Sequence, residues 1–319
     1  MPHMANTQTN DFSKGSVAGN ILRLALPMTV AQLINVLYSV VDRMYIGRLP
    51  DAAGNALTGL GLTFPILSIV TAFANLFGMG GSPLFSIQRG KGDRDRAQVI
   101  LGNTFALLVG TGVALTVVLL VLKRPLLYAF GASDATYPYA DGYLTIYLLG
   151  SIFVMISLGM NQFINAQGFG RTGMLTVLIG AVTNILLDPV FIFVLGMGVQ
   201  GAALATILSQ FLSAVWAVSF LRGKKALIRL EWGSMRLQPK LVWQIVSLGF
   251  SSFVMAITNS IVQVACNSTL QSFGGDLYVG VMTIINSVRE VVSTPINGVT
   301  SAAQPVMGFN YGAQEYRRG

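Results

Sequence analysis

Polar side chains inside apolar stretches of this sequence are the first candidates for chemistry, because ionisable groups in a low-dielectric environment are costly and commonly functional. Asn184 and Asp188 are four residues apart and are followed directly by Pro189. This spacing places both side chains on one helical face, and the proline leaves the carbonyl of Ile185 without its usual amide donor. Such hard oxygens predict a site for Na⁺ or a proton. Thr206, in the next apolar stretch, could complete that site or only satisfy a proline kink.

A second polar face lies in the first apolar stretch, where Gln32, Asn35, Tyr38 with Ser39, and Asp42 recur at helical spacing. Such a face lines a cavity or contacts another helix. Interhelical hydrogen bonding that only holds the bundle together is the structural alternative. A position of Asp42 at the outer interface would also make its charge ordinary.

Other polar positions carry weaker predictions. Arg289 and Glu290 are an intramembrane pair of charges, but adjacent residues on a helix point about 100° apart, so each would need a partner elsewhere. Functional and structural interpretations of this pair are equal. The charged run from Arg89 to Arg96 lacks the spacing of a phosphate-binding loop and indicates a solvated turn. Cys266 is expected to be a packing residue.

Composition restricts the classes of protein that remain. Of the 319 residues, 53% are hydrophobic and 10% are charged, against roughly 25% charged in a soluble domain. A single cysteine and a single histidine exclude a disulfide framework, a zinc cluster, a haem ligand pair and a His-based triad. We therefore predict an integral membrane protein with no metal centre and no cofactor other than a coupling ion, H⁺ or Na⁺.

Apolar runs long enough to cross a bilayer define the predicted organisation. The eight candidate spans are residues 20–46, 56–87, 98–122, 139–165, 173–195, 200–221, 241–272 and 277–310. Basic residues concentrate in the segments on the side of the N-terminus, which predicts a cytoplasmic N-terminus and an even number of spans. The predicted units are a tail at 1–18, an N-lobe of six helices at 19–221, a basic inter-lobe loop at 222–240 and the start of a C-lobe at 241–319.

An internal repeat supports this division. A shift of 222 residues aligns Leu26 with Leu248, Asn75 with Asn297, Pro83 with Pro305 and Gly90 with Gly312. Six spans separate the copies, so the repeats are parallel, as in two-lobed transporters. The second copy ends after two spans, which predicts a C-terminally truncated fragment of a protein of about 440 residues.

Five segments together resemble the multidrug and toxic compound extrusion (MATE) family, in its DinF-like prokaryotic branch. They include NQFINAQGFGRTGM and TNILLDPVFIF, and they cover residues 24–49, 161–174, 183–193, 201–210 and 304–313. The resemblance implies an all-α membrane fold with a complete six-helix N-lobe and only the first two C-lobe helices. It implies a cation site formed by Asp42, Asn184, Asp188 and Thr206. It also implies a substrate cleft lined by Asn35, Tyr38 and Asn161.

The predicted function is H⁺- or Na⁺-coupled antiport of amphipathic, often cationic drugs across the cytoplasmic membrane of a prokaryote, by a monomeric multi-pass transporter that is not an enzyme. Carboxylates, amides and aromatic rings suit such substrates. A lipid-linked oligosaccharide flippase of the same superfamily is the first alternative, but its cleft needs several cations and only Arg289 is mid-span. A membrane-embedded enzyme is the second, and the absence of a catalytic dyad or metal motif disfavours it. No partner other than lipid and small molecules is expected, and no nucleic acid.

Overall fold

The computed structural model describes residues 12–46, 48 and 53–318. The predicted tail up to residue 11 and the side chains of Ser39, Arg43 and Glu290 lie outside the described residues. The described helices are α1 (Val17–Ile46), α2 (Ala53–Gly90), α3 (Arg94–Ala129), α4 (Tyr137–Leu149), α5 (Ser151–Ala166), α6 (Gly170–Pro189), α7 (Val199–Arg222) and α8 (Pro239–Gly312). A π-helical turn, Val190–Val194, follows α6, and 3₁₀ turns lie at Trp232–Met235 and Tyr316–Arg318.

Membrane crossing follows from the length and apolar character of these helices. In the described part of the chain, six helices are long and apolar enough to span a bilayer, or seven if the bent pair α4 and α5 counts as one span. The first six predicted spans correspond to α1, α2, α3, α4 with α5, α6 with its π-helical turn, and α7. The fold is therefore an all-helical, multi-pass membrane fold.

The fourth predicted span differs from the structure, because it is broken into α4 and α5 with a bend of 55°. The break falls at Gly150, whose backbone amide donates hydrogen bonds to the carbonyls of Ile146 and Tyr147. A Cβ atom at this position would overlap the side chain of Ile207 in α7. Close packing of α7 against the bend explains why this position is a glycine, and hydropathy alone carries no sign of the bend.

The seventh and eighth predicted spans also differ, since helical backbone continues from Pro239 to Gly312 where a break at 273–276 was expected. This segment nevertheless folds back on itself. Gly249 packs against the backbone of Leu76, and Gly312 packs against the backbone of Ile87. A straight helix would separate Gly249 from Gly312 by about 95 Å, whereas Leu76 and Ile87 lie about 17 Å apart along α2. The two ends of α8 therefore run as two arms beside α2.

Contacts between α2 and α8 reproduce the register of the sequence repeat. A Cβ atom on Gly90 would meet the carbonyl of Phe309, and a Cβ atom on Gly312 would meet the carbonyl of Ile87. Gly312 is Gly90 shifted by 222 residues, and Phe309 is the same shift from Ile87. The two contacts are thus reciprocal, which is the pattern that a two-fold axis produces at an interface.

Arg89 joins four elements at the same end of the bundle. Its guanidinium carbon lies 5.0 Å from the ring centroid of Phe12, which precedes α1, and 5.0 Å from that of Phe309 in α8. Its Nη1 donates to the carbonyl of Ala166, the last residue of α5, at 2.7 Å. The rings of Phe12 and Phe309 meet edge to face at 5.7 Å. Cation–π contacts and a charged hydrogen bond therefore close this end of the bundle.

Candidate functional site

A cavity of about 230 Å³ lies among the first, second, fourth, fifth and seventh helices. Its polar lining comes from Asn35, Tyr38 and Asp42 of α1, Thr71 of α2, Tyr143 and Tyr147 of α4, and Thr206 and Gln210 of α7. Apolar side chains complete the wall, namely Leu60, Phe64, Leu67, Val154 and Leu158. The cavity thus combines aromatic rings, amides, hydroxyls and one carboxyl group inside an apolar bundle.

Behind the cavity wall, the carboxyl groups of Asp42 and Asp188 meet. Asp188 is completely buried, and its carboxyl group lies close enough to that of Asp42 for the two to interact. A hydrogen bond between two carboxyl groups exists only when one of them carries a proton, since two carboxylates offer acceptors alone. The first and sixth helices, distant in sequence, therefore form a pair that can hold a shared proton.

An amide and a hydroxyl extend this pair. Asn184 Nδ2 donates to Asp188 Oδ1 at 3.3 Å and lies 3.4 Å from Thr206 Oγ1. Thr206 also lies beside the side chain of Tyr143 in the cavity lining. Asn184 Oδ1 and Asp188 Oδ2 are buried and have no hydrogen-bond partner among the described protein groups. The cluster therefore presents buried oxygens whose acceptor capacity a proton or a small cation would satisfy.

Local backbone geometry positions Asp188. It is the penultimate residue of α6, and Pro189 ends the helix because it cannot donate an amide hydrogen bond. The chain continues as the π-helical turn Val190–Val194, in which the amide of Leu195 reaches back to Val190 at 2.9 Å. Single π-helical turns often occur at functional sites, and here the turn directly follows the buried carboxyl group.

The structure brings most of the predicted site residues together and separates others. Asp42, Asn184, Asp188 and Thr206 form one cluster, and Asn35 and Tyr38 line the adjoining cavity. Asn161 does not belong to that lining, since its Oδ1 faces Gly173 between α5 and α6 and has no described hydrogen-bond partner. Arg289 is exposed and outside the cavity.

Sequence reasoning missed Tyr143 and Tyr147, whose rings stack at 6.2 Å in the cavity wall. Their spacing of four residues in an apolar helix was the available signal, because it places both rings on one face. Gln210 was missed too, although it lies four residues after Thr206 on the same helical face. Recognising either pair required knowing which face of each helix points inward.

Comparison with known proteins identifies the family. Residues 27–190 match the family model described as MatE. The chain belongs to the MatE family. This confirms the predicted resemblance, and it makes the protein a membrane-spanning transporter and not an enzyme.

Curated relatives of this MatE chain carry transporter names. Multidrug export protein MepA of Staphylococcus saprophyticus subsp. saprophyticus is 25% identical over 318 residues, which are 98% of this chain and 69% of that protein. The protein of the same name in Staphylococcus haemolyticus is 24% identical over 316 residues, with the same two coverages. The chain therefore aligns with about two thirds of each relative.

Solved structures agree with the fold. A MATE transporter in the bent conformation superposes with a TM-score of 0.88 and 26% identity over 98% of this chain and 69% of that one. An outward-facing multidrug resistance MATE transporter gives 0.90 and 25% identity over 100% and 69%. A Pyrococcus furiosus transporter, for which a reversed polarity of the binding pocket suggests a different function, gives the same values. This MatE chain thus shares its fold with transporters whose pockets differ.

Proposed function

We propose that this MatE protein is a proton-coupled antiporter that exports amphipathic cationic drugs. The observation that carries the proposal is the close pair of carboxyl groups, Asp42 and the buried Asp188, beside the cavity. When the pair loses its proton, the site gains negative charge next to the space that a cation would occupy. When the pair regains a proton, that attraction is lost. Proton binding and drug binding then oppose each other, as exchange requires.

The character of the cavity supports the class of substrate. Aromatic rings from Phe64, Tyr143 and Tyr147 offer apolar area and cation–π contact, and Asp42 supplies charge. None of the described lining residues is a lysine or an arginine. A pyrophosphate-bearing lipid would need such cations, so the lining disfavours the flippase alternative. The names of the MepA relatives, which are multidrug export proteins, point in the same direction.

Na⁺ remains the alternative coupling ion. Asn184, Thr206 and the two carboxyl groups supply hard oxygen ligands suitable for it. We favour the proton because two neighbouring carboxyl groups resist ionising together, and a single proton on one of them removes the repulsion without any further ligand. The four-residue cluster, and not the cavity alone, is therefore the proposed coupling site.

Transport assays with separately imposed gradients test the coupling ion. The purified protein is reconstituted in liposomes with a lipophilic cationic dye, and either a pH gradient or a Na⁺ gradient is applied. We expect the pH gradient alone to drive dye movement, with no added effect of Na⁺ at constant pH. Dye movement driven by Na⁺ without a pH difference would replace the proton by Na⁺. An absence of dye movement under both gradients would overturn the exporter assignment.

Lobe division and orientation form part of the same proposal. The reciprocal contacts of Gly90 and Gly312 support two repeats related by a two-fold axis along the membrane normal. They fit a six-helix N-lobe at 19–221 and a C-lobe that begins at 241. The basic segment 222–240 is proposed to lie in the cytoplasm together with the N-terminus. The cytoplasmic membrane is accordingly the proposed location.

A further inference from the structure

The segment between α7 and α8 is fixed to the bundle by two buried side-chain amides. We call residues 223–238 the strap. Gln167, which is fully buried, accepts from the amides of Leu227 and Ile228 at 2.8 and 3.0 Å and donates to the carbonyl of Ile228 at 3.1 Å. Such a side chain replaces a backbone partner for an otherwise irregular segment.

Asn103 holds the second half of the strap in the same way. Fully buried in α3, it donates to the carbonyls of Ser234 and Arg236 at 3.2 and 3.1 Å. It also accepts from the amide of Gln238 at 2.9 Å. Ala226, Ile228 and Leu230 of the strap are buried against the bundle. The strap is therefore a docked part of the fold and not a loose tether.

This docking leaves the charged side chains on the outer surface. Exposed cations occupy the strap and its two ends, at Arg222, Lys224, Lys225, Arg229, Arg236 and Lys240. Glu231 is the one acidic residue in the sequence between 222 and 240. A net charge of +5 is thus displayed on a surface whose backbone is held in place.

Two tryptophans mark the same surface. Trp232 is 69% exposed and Trp243, in the first turns of α8, is 71% exposed. The guanidinium of Arg222 lies 5.2 Å from the ring centroid of Trp232. Tryptophan rings prefer the level of lipid headgroups, where an apolar body and a polar N–H are both accommodated. Exposed tryptophans beside six cations at the ends of two spanning helices therefore belong at the headgroup level of one leaflet.

We propose that the strap is a binding surface for anionic phospholipid headgroups. Charge complementarity selects the anionic class, because basic side chains near a membrane surface attract acidic lipids. The exposed tryptophans favour a lipid over free phosphate as the ligand, because their rings can pack against the glycerol and acyl chains of a lipid and free phosphate has no such groups. The proposal requires only that α7 and α8 cross a membrane, and it does not depend on the transported substrate.

Quenching of Trp232 by brominated lipid tests this contact directly. The full-length protein carrying Trp216→Phe and Trp243→Phe in a neutral detergent is titrated with brominated phosphatidylglycerol or brominated phosphatidylcholine. We expect saturable quenching by phosphatidylglycerol that high salt weakens, and no saturable quenching by phosphatidylcholine. Inorganic phosphate should not compete at concentrations equal to those of the lipid. Equal quenching by both lipids, or full competition by phosphate, would overturn the proposal.

Matched charge variants distinguish lipid binding at the strap from the general attraction of basic loops to anionic lipid. Replacing Lys224, Lys225 and Arg229 by Gln should weaken phosphatidylglycerol binding on the order of 100-fold, because each cation near the surface contributes about fivefold. The control replaces three cations of the neighbouring loop, Lys91, Arg94 and Arg96, which alternate with Asp93 and Asp95. That control should bind like the parent, and an equal loss in both variants would contradict a site on the strap.

Undocking variants test whether placement matters as well as charge. Gln167→Leu removes all three hydrogen bonds to the strap but keeps every cation, so we expect weaker and less selective binding. Gln167→Glu retains the two accepted hydrogen bonds and should lose less, which keeps the test valid if the leucine variant folds poorly. Unchanged affinity for phosphatidylglycerol in both variants would show that lipid binding does not depend on the docked position of the strap, and would overturn the proposal that the docked strap forms the binding surface.

Discussion

At the scale of single residues, the decisive feature is the meeting of Asp42 and Asp188 beside an amide and a hydroxyl. Each polar group in isolation has a structural explanation, as an interhelical hydrogen bond or a partner of a proline kink. Their convergence is harder to explain in that way, because Asp188 is fully buried beside Asp42 and its Oδ2 has no hydrogen-bond partner among the described residues. Buried acceptors without donors are costly, and a proton or a cation offsets that cost.

Neutral substitutions of the carboxyl pair test its role in exchange. Asp42→Asn and Asp188→Asn should each reduce pH-driven dye export by roughly tenfold or more, equivalent to about 1.4 kcal/mol of lost coupling. The double variant should be no worse than either single variant, because the two groups act as one unit. The measurement is dye efflux against pH. Asp134→Asn, at an exposed carboxyl group outside the cavity, is the control. A single variant with parental export and an unchanged pH profile would remove that residue from the mechanism.

At the scale of helices, small residues determine how closely α2 and α8 approach. Gly90 and Gly312 allow backbone contact in two symmetry-related places, as small residues commonly do between membrane helices. Arg89, next to Gly90, lies against the rings of Phe12 and Phe309 and makes a cation–π contact with each. The end of the bundle on the strap side is therefore closed by two kinds of contact, backbone packing and a cation between rings.

Enlarging either glycine should loosen this approach. We expect Gly90→Val and Gly312→Val each to lower the free energy of unfolding by about 1–3 kcal/mol, as overpacking does. Thermal unfolding in detergent is the measurement. Gly110→Val in α3 provides a matched control, since a Cβ atom there meets nothing within 4 Å. The predicted contact would be wrong if all three variants unfolded at the same temperature.

Removing the Arg89 guanidinium should open the same end of the bundle. Arg89→Gln loses two cation–π contacts and a charged hydrogen bond, together about 2 kcal/mol, which favours the open arrangement by roughly 30-fold. A cysteine at the buried position Ala302, in a Cys266→Ser background, should then react faster with a thiol reagent. Arg96→Gln, at an exposed arginine, is the control, and equal reaction rates in both variants would exclude a closing role for Arg89.

At the scale of the whole molecule, the repeat and the positive charges support the proposed two-lobed, oriented arrangement. The chain aligns with 69% of its MepA relative, and α8 supplies two arms beside α2. Alternating access in two-lobed transporters uses both lobes, which rock about a midplane site. The proton site proposed above lies wholly in the first of them.

Orientation can be tested at the strap. A cysteine at position 224 in place of Lys224, in a Cys266→Ser background, should be labelled by an impermeant maleimide only in inside-out vesicles, because the positive-inside rule places this basic segment in the cytoplasm. Labelling is read from intact cells and vesicles side by side. A cysteine in place of the exposed Asp134 is the reciprocal control. This residue lies between α3 and α4, on the side opposite the strap in the proposed topology, so it should be labelled in intact cells. Reaction of the cysteine at 224 in intact cells would reverse the proposed topology.

The sequence by itself determined the class of protein, six of its spans and the repeat, and it named the four residues that the structure places in one cluster. These features are local or periodic: apolar length, a spacing of four residues, proline beside a carboxylate, and a fixed offset of 222 residues. Charge and hydropathy are properties of the chain before it folds, which is why they suffice for membrane insertion.

Only the tertiary structure decided which faces meet. The bend at Gly150 depends on Ile207, the place of Asn161 beside Gly173 depends on how α5 packs on α6, and the inclusion of Tyr143 depends on its contact with Thr206. Gln167 and Asn103 give no sign in the sequence that they hydrogen-bond residues 60 or more positions away. Rotation of a helix about its axis is fixed by contacts distant in sequence, because an apolar helix in lipid has no solvent-facing side to orient it.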